Sequence, residues 1–254
     1  MNAPLSTEAL AVGYPGRTLI GGADIMLQPG ELVALIGVNG GGKSTFLHTL
    51  AGLHAPLAGK VRSFEAEIST LSAVERARRL ALVLTGRPAA GLMDVRTIVA
   101  MGRQPWTGHF GRLTEEDLRI IDGALRAVDV GHLAGRSLRE LSDGEAQRVM
   151  IARALAQDTP IMLLDEPMAF LDLVNRVRLL RTLRKLAHDG RKAILLSTHD
   201  LQTALDLCDR VLLIHDVRIW SGTPAEAIHS GILEALFSSE GLHFDPSTRS
   251  FRVT

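Results

Sequence analysis

Lys43 and Ser44 close the stretch Gly37-Val38-Asn39-Gly40-Gly41-Gly42-Lys43-Ser44-Thr45, a glycine-rich loop with the spacing that holds a phosphate chain. Glycines allow positive φ and put no Cβ between backbone and ligand, so successive N–H groups can turn into one concavity around an anion. Lys43 would neutralise the outer phosphates, and the Ser44 hydroxyl would ligate Mg²⁺. Two more groups carry chemistry. Asp165 and Glu166 end the apolar run Ile161-Met162-Leu163-Leu164, and His199 ends the run that begins at Ala193. Asp165 could hold Mg²⁺ through water, Glu166 could polarise an attacking water, and His199 could donate to a γ-phosphate. Such a loop implies a nucleoside triphosphate without saying what it drives.

These residues need elements to position them. Leu32-Val33-Ala34-Leu35-Ile36 reads as a buried parallel strand before the loop, and residues 45–51 read as the start of a helix after it. Residues 80–84 are a fully apolar run that reads as a core strand, 161–164 and 211–214 are further apolar runs of strand length, and Ala193 to Asp200 reads as a buried strand ending in polar groups from Ser197 on. In an open parallel sheet, ligands lie beyond the carboxyl ends of the strands. The loop, the acids and the histidine all sit at such ends, so they can converge on one nucleotide. Before the loop, Leu10 to Tyr14, Leu19-Ile20 and Ala23 to Leu27 read as antiparallel strands with turns at Pro15-Gly16 and Pro29-Gly30. Ser72-x-x-Glu75 is a capping box opening a short helix.

Between Gly86 and Leu141 strand signals vanish, and residues 94–102 and 114–128 read as helices. The second opens with acids, and Leu118, Ile121, Leu125 and Val128 give it an apolar face. Residues 146–157 and 176–189 are also helical, the latter with Gly190 as its stop. A short helix spans 224–229, and a hairpin around Pro246-Ser247 closes the chain. The expected fold is α/β, a P-loop core with a mostly parallel sheet. About 1–85 and 143–222 form the core with an antiparallel β subdomain, about 86–142 a helical insertion, and 223–254 a C-terminal extension.

Composition narrows the function. The chain has 254 residues, 46% of them apolar, enough for one large domain. Lys plus Arg and Asp plus Glu both number 28, so no global basic field argues for nucleic acid. A single cysteine, Cys208, excludes an internal disulfide framework and reads as a buried structural thiol at a helix end. Residues 1–5 do not resemble a signal peptide, and no apolar run reaches the ~18–20 residues a membrane span needs. A membrane role would come through a partner.

Leu141-Ser142-Asp143-Gly144-Glu145 is the discriminating stretch. It is a capping box, Ser142-x-x-Glu145, and a helix N-terminus with a serine and a glycine is also an anion site. The P-loop, this stretch, Asp165-Glu166-Pro167, Leu171-Asp172 and His199 follow one another as in an ABC-type ATPase, and the chain resembles that family over nearly its whole length. The resemblance implies ATP sandwiched in a head-to-tail homodimer, with Leu141 to Glu145 as the signature that meets the ATP of the second copy. It implies that Leu171-Asp172 links the two sites and that Tyr14 stacks on adenine. Two departures stand out. The strand at 80–84 should be followed by a Mg²⁺-ligating glutamine, where this chain has Thr85, and Gln104 lies too far along to replace it. Asp143 replaces a glycine beside the trans γ-phosphate and is expected to turn away from it.

Within the family, Ala77-Arg78-Arg79-Leu80-Ala81, Met101 to Trp106 and Phe110 to Leu113 resemble the importers of iron–siderophore, haem and cobalamin. The resemblance implies an ATPase subunit on the cytoplasmic face of the membrane, peripheral, docked on permease subunits and served indirectly by an extracytoplasmic binding protein. Trp106 reads equally as core or as a lining of the groove for a permease helix. A non-transport ABC protein acting on ribosomes or nucleic acid would call for tandem cassettes, basic arms or coiled-coil inserts, none of which the sequence carries. A P-loop kinase or GTPase would leave the signature and Leu171-Asp172 unexplained.

Overall fold

The computed structural model describes residues 3–86, 92–108, 111–237, 242–245 and 250–253. The chain opens with β1 (Leu5–Tyr14), β2 (Arg17–Ala23), β3 (Met26–Leu27) and β4 (Leu32–Gly37), followed by α1 (Lys43–Leu50). Then come β5 (Ala58–Ser63), β6 (Ala66–Glu67), α2 (Ala73–Arg79), β7 (Leu80–Val83), α3 (Val95–Ala100) and α4 (Glu115–Ala127). The second half holds α5 (Asp143–Ala156), β8 (Ile161–Leu164), α6 (Leu173–Gly190), β9 (Ala193–Ser197), α7 (Leu201–Leu207), β10 (Arg210–His215) and β11 (Arg218–Gly222). It ends with α8 (Pro224–His229), α9 (Ile232–Phe237) and the pair β12 (Leu242–Asp245) and β13 (Ser250–Val253).

A six-stranded sheet runs in the order β11-β10-β4-β9-β8-β7, parallel except for β11. Its strands are continuous apolar runs because both faces are covered, and the period of two separates the faces. Leu32, Ala34, Ile36, Met162, Leu164, Ile194 and Leu196 pack with the helices of one side. Val33, Leu35, Ile161, Leu163, Ala193 and Leu195 pack on the other, with α1 and the antiparallel sheet. That second sheet has the order β2-β1-β5-β6, with β3 also on β1.

Several local expectations hold. Glu75 N–H donates to Ser72 Oγ at 3.2 Å and Ser72 N–H donates to Glu75 Oε2 at 2.9 Å, which is the capping box. Others need correction. The 80–84 run is an edge strand rather than an interior one, with Leu82 half-buried and Leu84 exposed, because an open groove lies along its outer side. α6 begins at Leu173, earlier than its apolar periodicity indicates, since Asp172 caps it by accepting from Asn175 N–H at 2.8 Å. Its stop is Arg191 at φ 50°, while Gly190 is still helical. The Pro246-Ser247 turn lies outside the described residues, as do Met1, Asn2 and Phe110. Cys208 is buried, and burial, helped by Asp209, pushes its thiol up to about 12.

On α4, Ile121, Leu125 and Val128 are buried, but Leu118 is 40% exposed. Asp117 turns inward in its place. Its carboxylate takes the Thr114 N–H at 2.8 Å and the Arg103 Nε–H at 2.7 Å, and Arg103 also donates to Ala156 O at 2.9 Å. A buried acid was invisible to hydrophobic periodicity because a cap and an ion pair, not apolar contact, place it. The Thr114 N–H, chiefly, holds the Asp117 carboxyl below its ordinary value. Its contribution to stability is therefore full above the ordinary carboxylate range, near ~3.9, and is lost as pH falls through the lower folded value. Arg103→Ala, which strands this carboxylate, should cost about 3–5 kcal/mol in urea unfolding at neutral pH, and the loss should shrink on acidification. A cost below ~1 kcal/mol at neutral pH would mean that the pair is solvated.

Candidate functional site

The sheet register brings the ends of four strands together. Leu35 pairs with Ser197, Leu164 with Leu196, and Val83 with Leu164. Beyond those ends stand the glycine loop, Asp165-Glu166 and His199, as the parallel-sheet rule requires.

The loop curls over the N-terminus of α1. Gly40 has φ 75° and Gly42, the N-cap, has φ 97°, both in the left-handed region. A Cβ on Gly42 would also stand 3.0 Å from that of Leu19. Val38, Asn39, Gly40 and Ser44 are exposed, while Thr45 is buried. Lys43 is 6% exposed, and its Nζ donates to Gly37 O at 2.9 Å and Val38 O at 3.2 Å. Burial pushes its ammonium pKa down, against the opposing pull of Glu166 and Asp165. The loop, Tyr14, Arg17, Leu19 and Glu166 line an open depression of about 340 Å³. Tyr14 is 53% exposed there, its hydroxyl 3.4 Å from Thr45 Oγ1, so the ring has a free face at the mouth. Arg17 escaped the sequence reading because it follows the β1–β2 turn with no motif to mark it.

Asp165 is 3% exposed. Its N–H donates to Val83 O at 2.8 Å, its carbonyl accepts from Thr85 Oγ1 at 2.9 Å, and its Oδ1 accepts from Ser197 Oγ at 2.7 Å. Glu166 has φ 45°, and its N–H donates to Ser197 Oγ at 2.8 Å. Its Oε2 lies 3.8 Å from His199 Nδ1. Ser44, with Asp165 across the strand ends, offers hard oxygen donors of the kind Mg²⁺ takes together with phosphate oxygens and water. Among the described residues no group of three or more His, Cys, Asp or Glu could hold a metal ion.

The signature lies at the start of α5. Ser142 N–H and Oγ both donate to Glu145 Oε2 at 2.8 Å, and Glu145 N–H donates back to Ser142 Oγ at 3.3 Å. The Ser142 backbone bond, chiefly, holds the Glu145 carboxyl below its usual range. Asp143 is an exposed first-turn residue, where an acid suits the helix dipole. Leu141 is buried. Gly144 packs on the Leu171-Asp172 stretch: a Cβ there would meet Leu171 Cδ2 at 3.0 Å and Phe170 O at 3.2 Å. Arg176 steadies the same loop by donating to Leu171 O at 2.8 Å.

A groove of about 620 Å³ runs along β7, lined among others by Leu53, Arg76, Leu84, Thr85, Arg153 and Gln157. Thr85 thus touches both this groove and the Asp165 backbone. Trp106 is neither core nor lining. Its Nε1–H donates to Gln157 O at 2.7 Å, and Arg78 and Arg103 lie 5.3 and 5.5 Å from its ring centroid.

A phosphate loop at the end of a parallel sheet, with acids at the neighbouring strand ends, defines a nucleotide-binding α/β protein. Residues 20–169 match the ABC transporter family, and the chain belongs to that family. A cobalamin import ATP-binding protein of Halobacterium salinarum is 35% identical over 98% of this chain, which spans 63% of that relative's length. A hemin import ATP-binding protein of Pseudomonas fluorescens is 40% identical over 94% of each chain. A solved inward-facing ABC transporter assigned to the metal-chelate type superposes with TM-score 0.81 at 29% identity, covering 93% of this chain and 90% of that one. The fold is that of an ABC ATPase.

If Lys43 meets the phosphates, Lys43→Ala should weaken ATP binding by about 10- to 100-fold, the value of a charged hydrogen bond. Calorimetric titration measures this directly, and an unchanged Kd would remove Lys43 from the site.

Proposed function

We propose that the chain is the ATP-hydrolysing subunit of an importer for a metal chelate of the iron–siderophore, haem or cobalamin class. The observation that carries the reading is the joint placement of the glycine loop, Asp165-Glu166 and His199 at one sheet edge, continuous through Thr85 with the β7 groove. The named relatives and the metal-chelate transporter support the cargo class. The chain acts as one ABC cassette, with residues of about 86–142 as its helical part.

ATP lies on the loop, with adenine against Tyr14 and the phosphates in the N–H groups at the start of α1. Ser44 and Asp165 would hold Mg²⁺, which would supply charge neutralisation for the terminal phosphates. Glu166 orients and polarises the attacking water, and His199 donates to the γ-phosphate while lying beside Glu166. Leu141 to Glu145 of a second copy, with that copy's Leu171-Asp172, cover the same phosphate. Asp143 keeps to the helix dipole and away from that phosphate. Thr85 serves as a tether on Asp165, its hydroxyl donating to the Asp165 carbonyl.

No helix among the described residues is long and apolar enough to cross a membrane. In this reading the subunit sits peripherally on the cytoplasmic face, its β7 groove receiving a permease helix, a placement the import relatives support. Glu166→Gln should lower turnover by at least ~100-fold while leaving an ATP-bound dimer detectable by size exclusion. Turnover near that of the parent chain would refute Glu166 as the base. Transport assays with the cognate permease in liposomes test the cargo class, and failure of haem, iron chelate and cobalamin alike would overturn it.

A further inference from the structure

Ser197 carries no motif, yet it is fully buried at the end of β9 and touches both acids of the site. The bond directions are fixed by chemistry. Glu166 N–H can only donate, so Ser197 Oγ accepts there at 2.8 Å. An ionised Asp165 can only accept, so the one hydroxyl proton goes to its Oδ1 at 2.7 Å. The bond to Asp165 is buried and that from Glu166 part-buried, and the first is charge-assisted, which makes it short and directional.

The consequence differs for the two acids. Committing Oδ1 of Asp165 fixes the carboxylate plane, and with it the direction of the other oxygen. Val83 and Thr85 already hold the backbone of Asp165, so Ser197 supplies the restraint on its side chain. Glu166 stands at φ 45°, a conformation L residues rarely adopt, and the Ser197 bond holds its N–H in that turn. The same turn sends the Glu166 carboxylate towards His199. Ser197 lies on the α1 side of the sheet, in the row of Ala193 and Leu195.

We propose that Ser197 is a positioning residue for ATP hydrolysis: its hydroxyl sets the Asp165 carboxylate for Mg²⁺ and the Glu166 turn for the attacking water. The proposal rests on the hydrolytic reading above. It predicts a separation between nucleotide affinity, which the loop supplies, and metal-dependent steps, which the acids supply.

The test compares the full-length parent chain with Ser197→Ala and Ser197→Thr. Steady-state hydrolysis gives kcat, KM and the Mg²⁺ concentration for half-maximal rate. Fluorescent ATP-analogue binding is measured in EDTA and in Mg²⁺. Ser197→Ala should lower kcat on the order of tenfold, as expected for one charged hydrogen bond. It should raise the half-maximal Mg²⁺ concentration several-fold and shrink the gain in affinity that Mg²⁺ gives. Binding in EDTA and KM should stay within about twofold of the parent, and Ser197→Thr, which keeps the hydroxyl, should regain most of the loss. Should Ser197→Ala fail to fold, Ser197→Cys, nearly equal in volume, carries the same comparison. An Ala variant with parental kcat and Mg²⁺ dependence overturns the proposal and leaves the hydrolytic reading standing. So does equal loss of binding in EDTA and in Mg²⁺, which marks a purely structural serine. A parent chain that hydrolyses no ATP at all overturns both.

Discussion

The parallel sheet, buried on both faces, is the constraint on which the rest depends. Four neighbouring strand positions, 32–36, 161–164, 193–196 and 211–214, are apolar throughout and sit between two clusters. Such strands cannot shift by one residue without exchanging the contents of both clusters, so register is strongly specified. Because Leu164 is opposite Leu196, the first polar residues of β8 and β9, Asp165 and Ser197, fall at the same level, and β4 runs beside them with Leu35 opposite Ser197 before it opens into the glycine loop.

At that edge each reactive group is held by a bond that does not take part in the chemistry. Asp165 is gripped by Val83, Thr85 and Ser197, and Glu166 by Ser197. The signature serine is bound into a capping box with Glu145, and Asp172 into the cap of α6. Caps place acids at helix starts, where the dipole favours them, and so fix the loops that precede the helices. Gly144 against Leu171 then joins two of those loops within one subunit.

Much of this was legible in the sequence. The loop, the acids and His199 lie at strand ends, as strand direction put them, and the capping boxes at Ser72 and Ser142 are present. Apolar runs and spacing motifs survive as signals because they rest on local physics. What escaped depends on pairings between distant segments. Ser197 was read as the polar end of a strand, although its parity with Leu195 already placed it on the α1 side. Asp117 replaced Leu118 inward because Arg103 lies opposite, 14 residues away. Thr85 lacked the reach expected of a metal ligand, and only the β7–β8 pairing shows that it bonds the Asp165 carbonyl.

In the proposed arrangement Leu141 to Glu145 of one copy cover the ATP on the glycine loop of another, so each chain holds half a site. Turnover per chain should then depend on chain concentration. Measured at saturating MgATP over a dilution series of the isolated subunit, specific activity should fall towards zero at low concentration and rise to a plateau as copies pair. Specific activity that stays constant down to concentrations where light scattering sees only monomer would contradict the account.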